Sequence, residues 1–282
     1  MQGKTSFFSA LANAARSIFW ILLILTLLYQ WLGGSSFEGK RLALLQVLEN
    51  ERKSRVITLI HREETVSLFG VPVNRYIDID DAEAILRVIR LTPPDQPIDL
   101  IIHTPGGLVL AASQIAHAIQ AHKGKVTVFV PHYAMSGGTL LALAADEIVL
   151  DPNAVLGPVD PQIGEFPAAS IIRAVELKTP EKAEDQTLIL ADISAKAINQ
   201  LASFVAQILE KRLPEKEAQA LAAMITTGQV THDFPITVER AKSVGLPIST
   251  QMPETIYKLM DLYPQRGTGR PSVNYVPIPK GH

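Results

Sequence analysis

A serine placed between two glycine-rich turns is the part of this sequence best suited to chemistry. One apolar strand-like segment ends at Gly106-Gly107, and the next ends at Ser136-Gly137-Gly138; each is followed by a helical sequence. A βαβ crossover makes such strands parallel, so both turns are expected at one edge of the sheet. Helix N-termini present unpaired backbone N–H groups that bind anions. Ser136 beside such groups predicts acyl-transfer chemistry with an oxyanion-binding site.

A serine beside glycine at a helix start ordinarily serves as an N-cap. Three features favour a nucleophile here. The segment 126–130 that leads to the turn is apolar except for Thr127, the helical segment 139–145 carries no charge, and 105–107 supplies a second set of backbone amides. These features predict a buried turn with hydrogen-bond donors ready for an oxyanion.

Composition excludes several classes of site. The chain has 282 residues, 26 Lys+Arg against 28 Asp+Glu, a net charge of −2 and no cysteine. Thiolate nucleophiles, disulfides and zinc–thiolate sites are therefore excluded, and nucleic acid is not an expected partner. The histidines are scattered without metal-ligand spacing, and no Walker or Rossmann glycine pattern occurs, so no metal or other cofactor is expected.

The N-terminal region predicts a membrane anchor. Residues 17–32 carry no charge, although this stretch is shorter than the ~20 residues of a typical transmembrane helix. A cleaved signal peptide is the alternative, but no small-residue cleavage site of the usual kind follows. Basic residues are more numerous after the stretch than before it, which favours a single-pass protein with its catalytic domain in the cytoplasm.

Alternating strand and helix patterns predict an α/β fold. We expect a membrane anchor over 1–36, an amphipathic linker helix over 37–55, a catalytic α/β domain over 56–262 and an extended tail over 263–282.

The motifs at 104–107 (TPGG), 135–138 (MSGG) and 145–164 (ADEIVLDPNAVLGPVDPQIG) resemble those of the Clp/crotonase-fold serine peptidases. Within that group the chain resembles the serine dehydrogenase proteinase family, relatives of signal peptide peptidase A, over roughly residues 55–250. The resemblance implies a Clp/crotonase-like ββα superhelix, assembly into a homo-oligomer, Ser136 as nucleophile, and an oxyanion hole formed by the amides of Gly107 and Gly137.

The resemblance identifies the general base less directly than it identifies the nucleophile. The positions that match the histidine of Clp-type subunits are Val159 and Asp160, so a triad of that kind is not expected. Signal peptide peptidase relatives instead use a lysine that precedes a long helix, and Lys178 matches it. A lysine acts as a base when burial in an apolar cleft lowers its pKa. The alternatives for the base are Lys182, Lys196 and His132.

The sequence thus predicts a membrane-anchored serine endopeptidase of the Ser/Lys dyad type, acting on peptides or membrane-protein substrates. Two alternatives use the same fold. A crotonase-like acyl-CoA enzyme would use the two amides to hold a thioester enolate, although no basic cluster suggests a phosphate-binding mouth. A non-catalytic oligomeric scaffold would need no base at all.

Overall fold

The computed structural model of the chain describes residues 2–61, 76–178 and 182–263, apart from the side chains of 2–12 and 27–36. The chain divides into two compact units, residues 1–47 and 48–282. The predicted tail over 263–282 lies outside the described residues, except for residue 263.

The first unit is helical. Helix α1 (Gln2–Arg52) contains the apolar stretch Asn13–Thr26, whose large apolar side chains between Ile18 and Leu25 are exposed. This described stretch is shorter than a membrane span. The predicted anchor over 17–32 extends beyond the described side chains, so the anchor stays a prediction.

The second unit is built on a five-stranded parallel sheet with the strand order β1-β2-β3-β5-β9. A short parallel pair joins β4 to β6, and β7 and β8 form an antiparallel pair. The strands are β1 (Arg55–Ile60), β2 (Ile98–His103), β3 (Val126–Val130), β4 (Tyr133–Ala134), β5 (Glu147–Leu150), β6 (Val155–Leu156), β7 (Gln162–Ile163), β8 (Phe166–Pro167) and β9 (Ile248–Ser249).

The helices of this unit connect and cover the strands, as expected for parallel pairing. They are α2 (Ile79–Leu91), α3 (Val109–Ala121), α4 (Gly137–Ala144), α5 (Ala168–Lys178), α6 (Asp185–Leu209), α7 (Glu215–Thr226), α8 (Val238–Ser243) and α9 (Glu254–Asp261). The observed order of elements confirms the predicted mixed α/β class.

The two central strands set the position of the candidate site. Every residue of β2 and β3 is buried, which is typical of parallel strands covered on both faces. They pair in parallel with Ile98 opposite Val126, and the pairing continues past the strand ends as a bridge between Thr104 and Ala134. Both glycine turns therefore lie at the same edge of the sheet, as the sequence predicted.

A buried carboxylate holds β2 to the end of α1. Asp99 is almost fully buried, and its carboxylate accepts hydrogen bonds from the guanidinium of Arg52 and, at 2.7 Å, from the hydroxyl of Ser54. A buried charge is tolerated when it is paired and hydrogen-bonded in this way.

Helix α4, which begins directly after Ser136, is buried along its whole length. At its other end the guanidinium of Arg212 donates to the carbonyl oxygens of Leu143, at 2.7 Å, and Ala144, at 3.4 Å. A cation at this position satisfies terminal carbonyls and complements the helix dipole. The contacts help to hold the helix whose N-terminus faces the site.

Candidate active site

The two glycine turns approach each other closely beside Ser136. Gly106 has a φ of +109°, and a Cβ added to it would lie 2.7 Å from the Cβ of Ser136 and 3.1 Å from the nitrogen of Gly137. A side chain at residue 106 would therefore both strain the backbone and push the turns apart.

Ser136 occupies the N-cap position of α4 but does not cap the helix. Its backbone has φ 48° and ψ −116°, and its hydroxyl makes no capping hydrogen bond. Such a conformation is strained for a residue with a side chain, and strain of this kind is found at functional turns, including the strand-to-helix turn that exposes a nucleophilic serine. The side chain is half-buried. The geometry therefore differs from an ordinary N-cap serine.

Two backbone N–H groups beside Ser136 have no acceptor among the described residues, those of Gly107 and Gly137. The turn that carries Gly107 is held by Ile77, whose N–H donates to the Gly106 carbonyl at 2.7 Å and whose carbonyl accepts from Leu108 at 2.8 Å. A Cβ on Gly107 would lie 2.2 Å from the Ile77 carbonyl oxygen, so this close pairing requires glycine.

A buried polar network supports the same turn from behind. The Asp81 carboxylate lies 3.1 Å from Nε2 of His61, and Nδ1 of the same ring is hydrogen-bonded to the Thr104 hydroxyl group at 2.9 Å. The Thr104 oxygen in turn accepts from the Gly106 N–H at 3.1 Å. The network therefore connects helix α2 and strand β1 to the turn that carries the Gly107 amide.

Ser136 and both amide-bearing glycines line one cavity of about 200 Å³. Most of the wall is apolar, and its polar side chains besides Ser136 come from the segment that follows β6. The lining residues are Gly107, Leu108, Val109, Ala112, Ser136, Gly137, Leu140, Val159, Asp160, Pro161, Gln162 and Leu201. The structure thus brings together three of the four predicted site residues.

The fourth predicted site residue, Lys178, lies elsewhere. It is exposed at the C-terminal end of α5 and is not among the described residues that line the cavity. Lys182 is exposed as well, and Lys196 is exposed and pairs with Asp192 one turn away on α6. His132 is exposed and stacks against the buried ring of His103 at 5.5 Å. The identity of the base stays a prediction.

A histidine–aspartate pair beside the cavity was missed by the sequence analysis. The buried Asp160 carboxylate accepts from Nδ1 of His232 at 2.7 Å through one oxygen, and from the Gln162 amide at 2.7 Å through the other. Because Nδ1 has a single proton, its 3.3 Å contact with the Gln162 nitrogen is not a second donation from the ring. Asp160 and Gln162 line the cavity, and His232 contacts it only through them among the described lining residues.

The pair predicts a pH-dependent contribution to stability. The hydrogen bond to Asp160 raises the pKa of His232 above its ordinary value, against an opposing effect of partial burial. A histidine with a raised folded pKa adds stability that is fully present below its unfolded pKa of about 6.5 and is lost as pH rises through the folded pKa. We expect the melting-temperature difference between wild type and His232→Gln to be largest below pH ~6 and to shrink at higher pH.

The His232–Asp160 pair is expected to contribute about 1 kcal/mol or less to the free energy of unfolding, because a third of the His232 side chain is exposed and solvent screens the pair. Thermal unfolding between about pH 5 and 9 measures it. His117→Gln is the control, since this exposed ring contacts Phe204. A difference for His232→Gln that stays constant across the range would contradict the prediction.

Sequence comparisons find long and close relatives. An uncharacterized protein of Methanocaldococcus jannaschii is 54% identical over 262 residues, which cover 93% of this chain and 92% of the relative. A second protein of that organism is 53% identical over 240 residues, covering 85% and 82%. The Probable protease SohB of Haemophilus influenzae is 33% identical over 40% of this chain and 31% of its own.

Among solved structures, the membrane-bound stomatin-specific protease 1510-N aligns at 18% identity with a TM-score of 0.47, covering 72% of this chain and 82% of that chain. ClpP1 from Listeria monocytogenes aligns at 17% identity with a TM-score of 0.44, covering 69% and 92%. The family described as ClpP-like SDH-type serine proteinases matches residues 6–282. The match confirms the resemblance inferred from the sequence motifs, and the chain belongs to the ClpP-like SDH-type serine proteinases.

Proposed function

We propose that this chain is a membrane-anchored serine endopeptidase in which Ser136 is the nucleophile and the amides of Gly107 and Gly137 form the oxyanion hole. The observation that carries the proposal is the geometry of Ser136. It is a strained serine that does not cap its helix, and it lines a cavity with two backbone N–H groups that have no acceptor in the described part of the chain. Family membership supports the same reaction class.

In the proposed reaction, the Ser136 oxygen attacks the carbonyl carbon of a peptide bond while a base accepts its proton. The negative charge that develops on the carbonyl oxygen is stabilised by the two backbone N–H groups, one of them at the N-terminus of α4. As the C–N bond breaks, the base passes the proton of Ser136 to the leaving amine. Water then attacks the acyl-enzyme with the base accepting its proton, and that proton returns to the Ser136 oxygen as the acid product leaves. Burial of helix α4 strengthens the interaction at its N-terminus, because the dielectric constant there is lower than in bulk water.

The most direct test of the nucleophile is Ser136→Ala. We expect it to reduce peptide hydrolysis by about 10⁴-fold or more, since removal of a nucleophile leaves only the contribution of binding and the oxyanion hole. Labelling by a fluorophosphonate probe, followed by mass spectrometry, should place the adduct on Ser136. Ser203→Ala is the control, because this exposed serine only donates to the Asn199 carbonyl on α6.

Unchanged hydrolysis in folded Ser136→Ala would exclude Ser136 as the nucleophile. A wild-type protein that neither reacts with the probe nor cleaves peptides would favour the oligomeric scaffold. Acyl-CoA turnover that persists in Ser136→Ala would favour a crotonase-like enzyme.

We further propose Lys178 as the base. Lys178 is the last residue of α5, and α5 follows β8 and the segment that lines the cavity. Because Lys178 is exposed in the single chain, its amine is accessible to the active site of a neighbouring subunit. Lys178→Ala is expected to reduce kcat by at least about 10²-fold, the scale of general-base catalysis. Lys182→Ala, Lys196→Ala and His132→Ala are the matched controls and should retain most activity.

Full activity in Lys178→Ala would transfer the base role to whichever control variant is inactive. A mixing experiment separates two forms of the proposal. Oligomers assembled from Ser136→Ala and Lys178→Ala chains regain part of the activity if Lys178 acts on a neighbouring subunit. They regain none if it acts within its own subunit.

Membrane attachment and assembly complete the proposal. The apolar stretch of α1 supports attachment. Among the described helices, α6 alone is long and apolar enough to cross a membrane, with a mean hydropathy of 1.3. Little of its apolar stretch is buried within the single chain. Its exposed Ile189 and Ile193, together with Leu177 of α5, would be covered by packing against another copy of the chain.

We expect the full chain to fractionate with membranes and to require detergent, whereas a chain that begins at Phe37 should be soluble and still oligomeric. Multi-angle light scattering of the truncated chain measures its mass. A stable and fully active monomer would contradict the proposed coupling between assembly and the site, and a full chain that stays in the soluble fraction would contradict the anchor.

A further inference from the structure

The cavity beside Ser136 combines an apolar wall with one ionisable group. Leu108, Val109, Leu140 and Leu201 contribute apolar side chains. Of the described lining residues, Asp160 alone ionises, and its side chain is only 4% exposed. A volume of about 200 Å³ is below the ~300–1,000 Å³ of typical small-molecule sites, so a single side chain is the more fitting occupant.

We propose that Asp160 is a specificity residue that selects a lysine or arginine side chain on the substrate residue immediately before the scissile bond. The inference rests on the proposed peptidase function and adds its substrate class. The long apolar stem of such a side chain would contact the leucine and valine wall, and its cationic end would reach the carboxylate.

The hydrogen bonds that Asp160 already accepts do not use all the acceptor positions of its carboxylate. Each of its two oxygens accepts one strong hydrogen bond, from His232 and from Gln162, and a carboxylate offers about four acceptor positions. These two partners orient the carboxylate without removing its capacity for a cationic donor. Because the Asp160 side chain is almost fully buried, its attraction for a cation is stronger than in bulk water.

Substitution of His232 can be compared with substitution of Asp160, because the two side chains form one hydrogen-bonded pair. A protonated imidazole would offset the Asp160 charge, and a neutral one would leave that charge undiminished; the carboxylate of Asp233 also acts on this ring. Replacing His232 with glutamine removes the cationic form and leaves the carboxylate. The preference for a basic substrate should therefore survive or increase in His232→Gln, whereas it should disappear in Asp160→Asn.

The experiment compares two peptides that differ only in lysine or norleucine before the scissile bond, with the full chain in detergent. We expect wild type to favour lysine by about tenfold or more in kcat/KM, the effect of one close charge pair. Asp160→Asn should lower that ratio to near one, because kcat/KM for the lysine peptide falls more than kcat/KM for the norleucine peptide. His232→Gln should keep the ratio at or above that of wild type.

A binding measurement separates the inference from the proposed chemistry. Ser136→Ala retains the cavity and should bind the lysine peptide more tightly than the norleucine peptide by fluorescence anisotropy, and the double variant with Asp160→Asn should not discriminate. If neither peptide is cleaved and a fluorophosphonate leaves wild-type Ser136 unlabelled, the peptidase proposal has failed, and the substrate inference fails with it.

Three results would overturn the inference while leaving the peptidase proposal intact. They are equal cleavage of both peptides by wild type, an unchanged lysine preference in Asp160→Asn, and a reduced preference in His232→Gln. Loss of cleavage of both peptides in Asp160→Asn would also overturn it, provided that the variant melts like wild type, since that pattern assigns Asp160 to the proton transfer instead.

Discussion

The parallel pairing of β2 with β3 is the constraint on which the candidate site depends. Because the two strands run in the same direction, both end at one edge of the sheet, and the bridge between Thr104 and Ala134 extends their contact to the turns themselves. Gly106 then allows the turns to approach within contact distance at Ser136. The spacing between the serine and the neighbouring amides is therefore set by two fully buried strands.

Hydrogen-bonded polar groups hold this edge from two sides. Behind the first turn, Asp81, His61 and Thr104 connect to the Gly106 amide. Across the cavity, His232 and Gln162 orient the Asp160 carboxylate. Second-sphere contacts of this kind fix the orientation of functional groups, because a buried polar atom moves only if it gives up its partner.

The two halves of the proposed function have different structural bases. The proposed nucleophile and the two proposed oxyanion amides line one cavity of a single chain, so one subunit contains this part of the proposed site. The proposed base is exposed, and so are three apolar side chains of α5 and α6, those of Leu177, Ile189 and Ile193. This distribution explains why we couple activity to assembly, since packing between copies would both cover apolar surface and change the surroundings of Lys178.

Local sequence determined the main strands, most of the helices and the two turns, because apolar runs that end at glycine before a helical pattern have a distinctive periodicity. Two-residue strands such as β4 and β6 were not predicted, because they are too short to show any periodicity of apolar and polar residues. The pairing of Asp160 with His232, 72 positions apart, was decided by tertiary structure alone, as was that of His61 with Thr104. Asp160 was visible in a distinctive motif, but its partner and its place in the cavity were not. Side-chain hydrogen bonds depend on distances in space, which local propensity and periodicity do not encode.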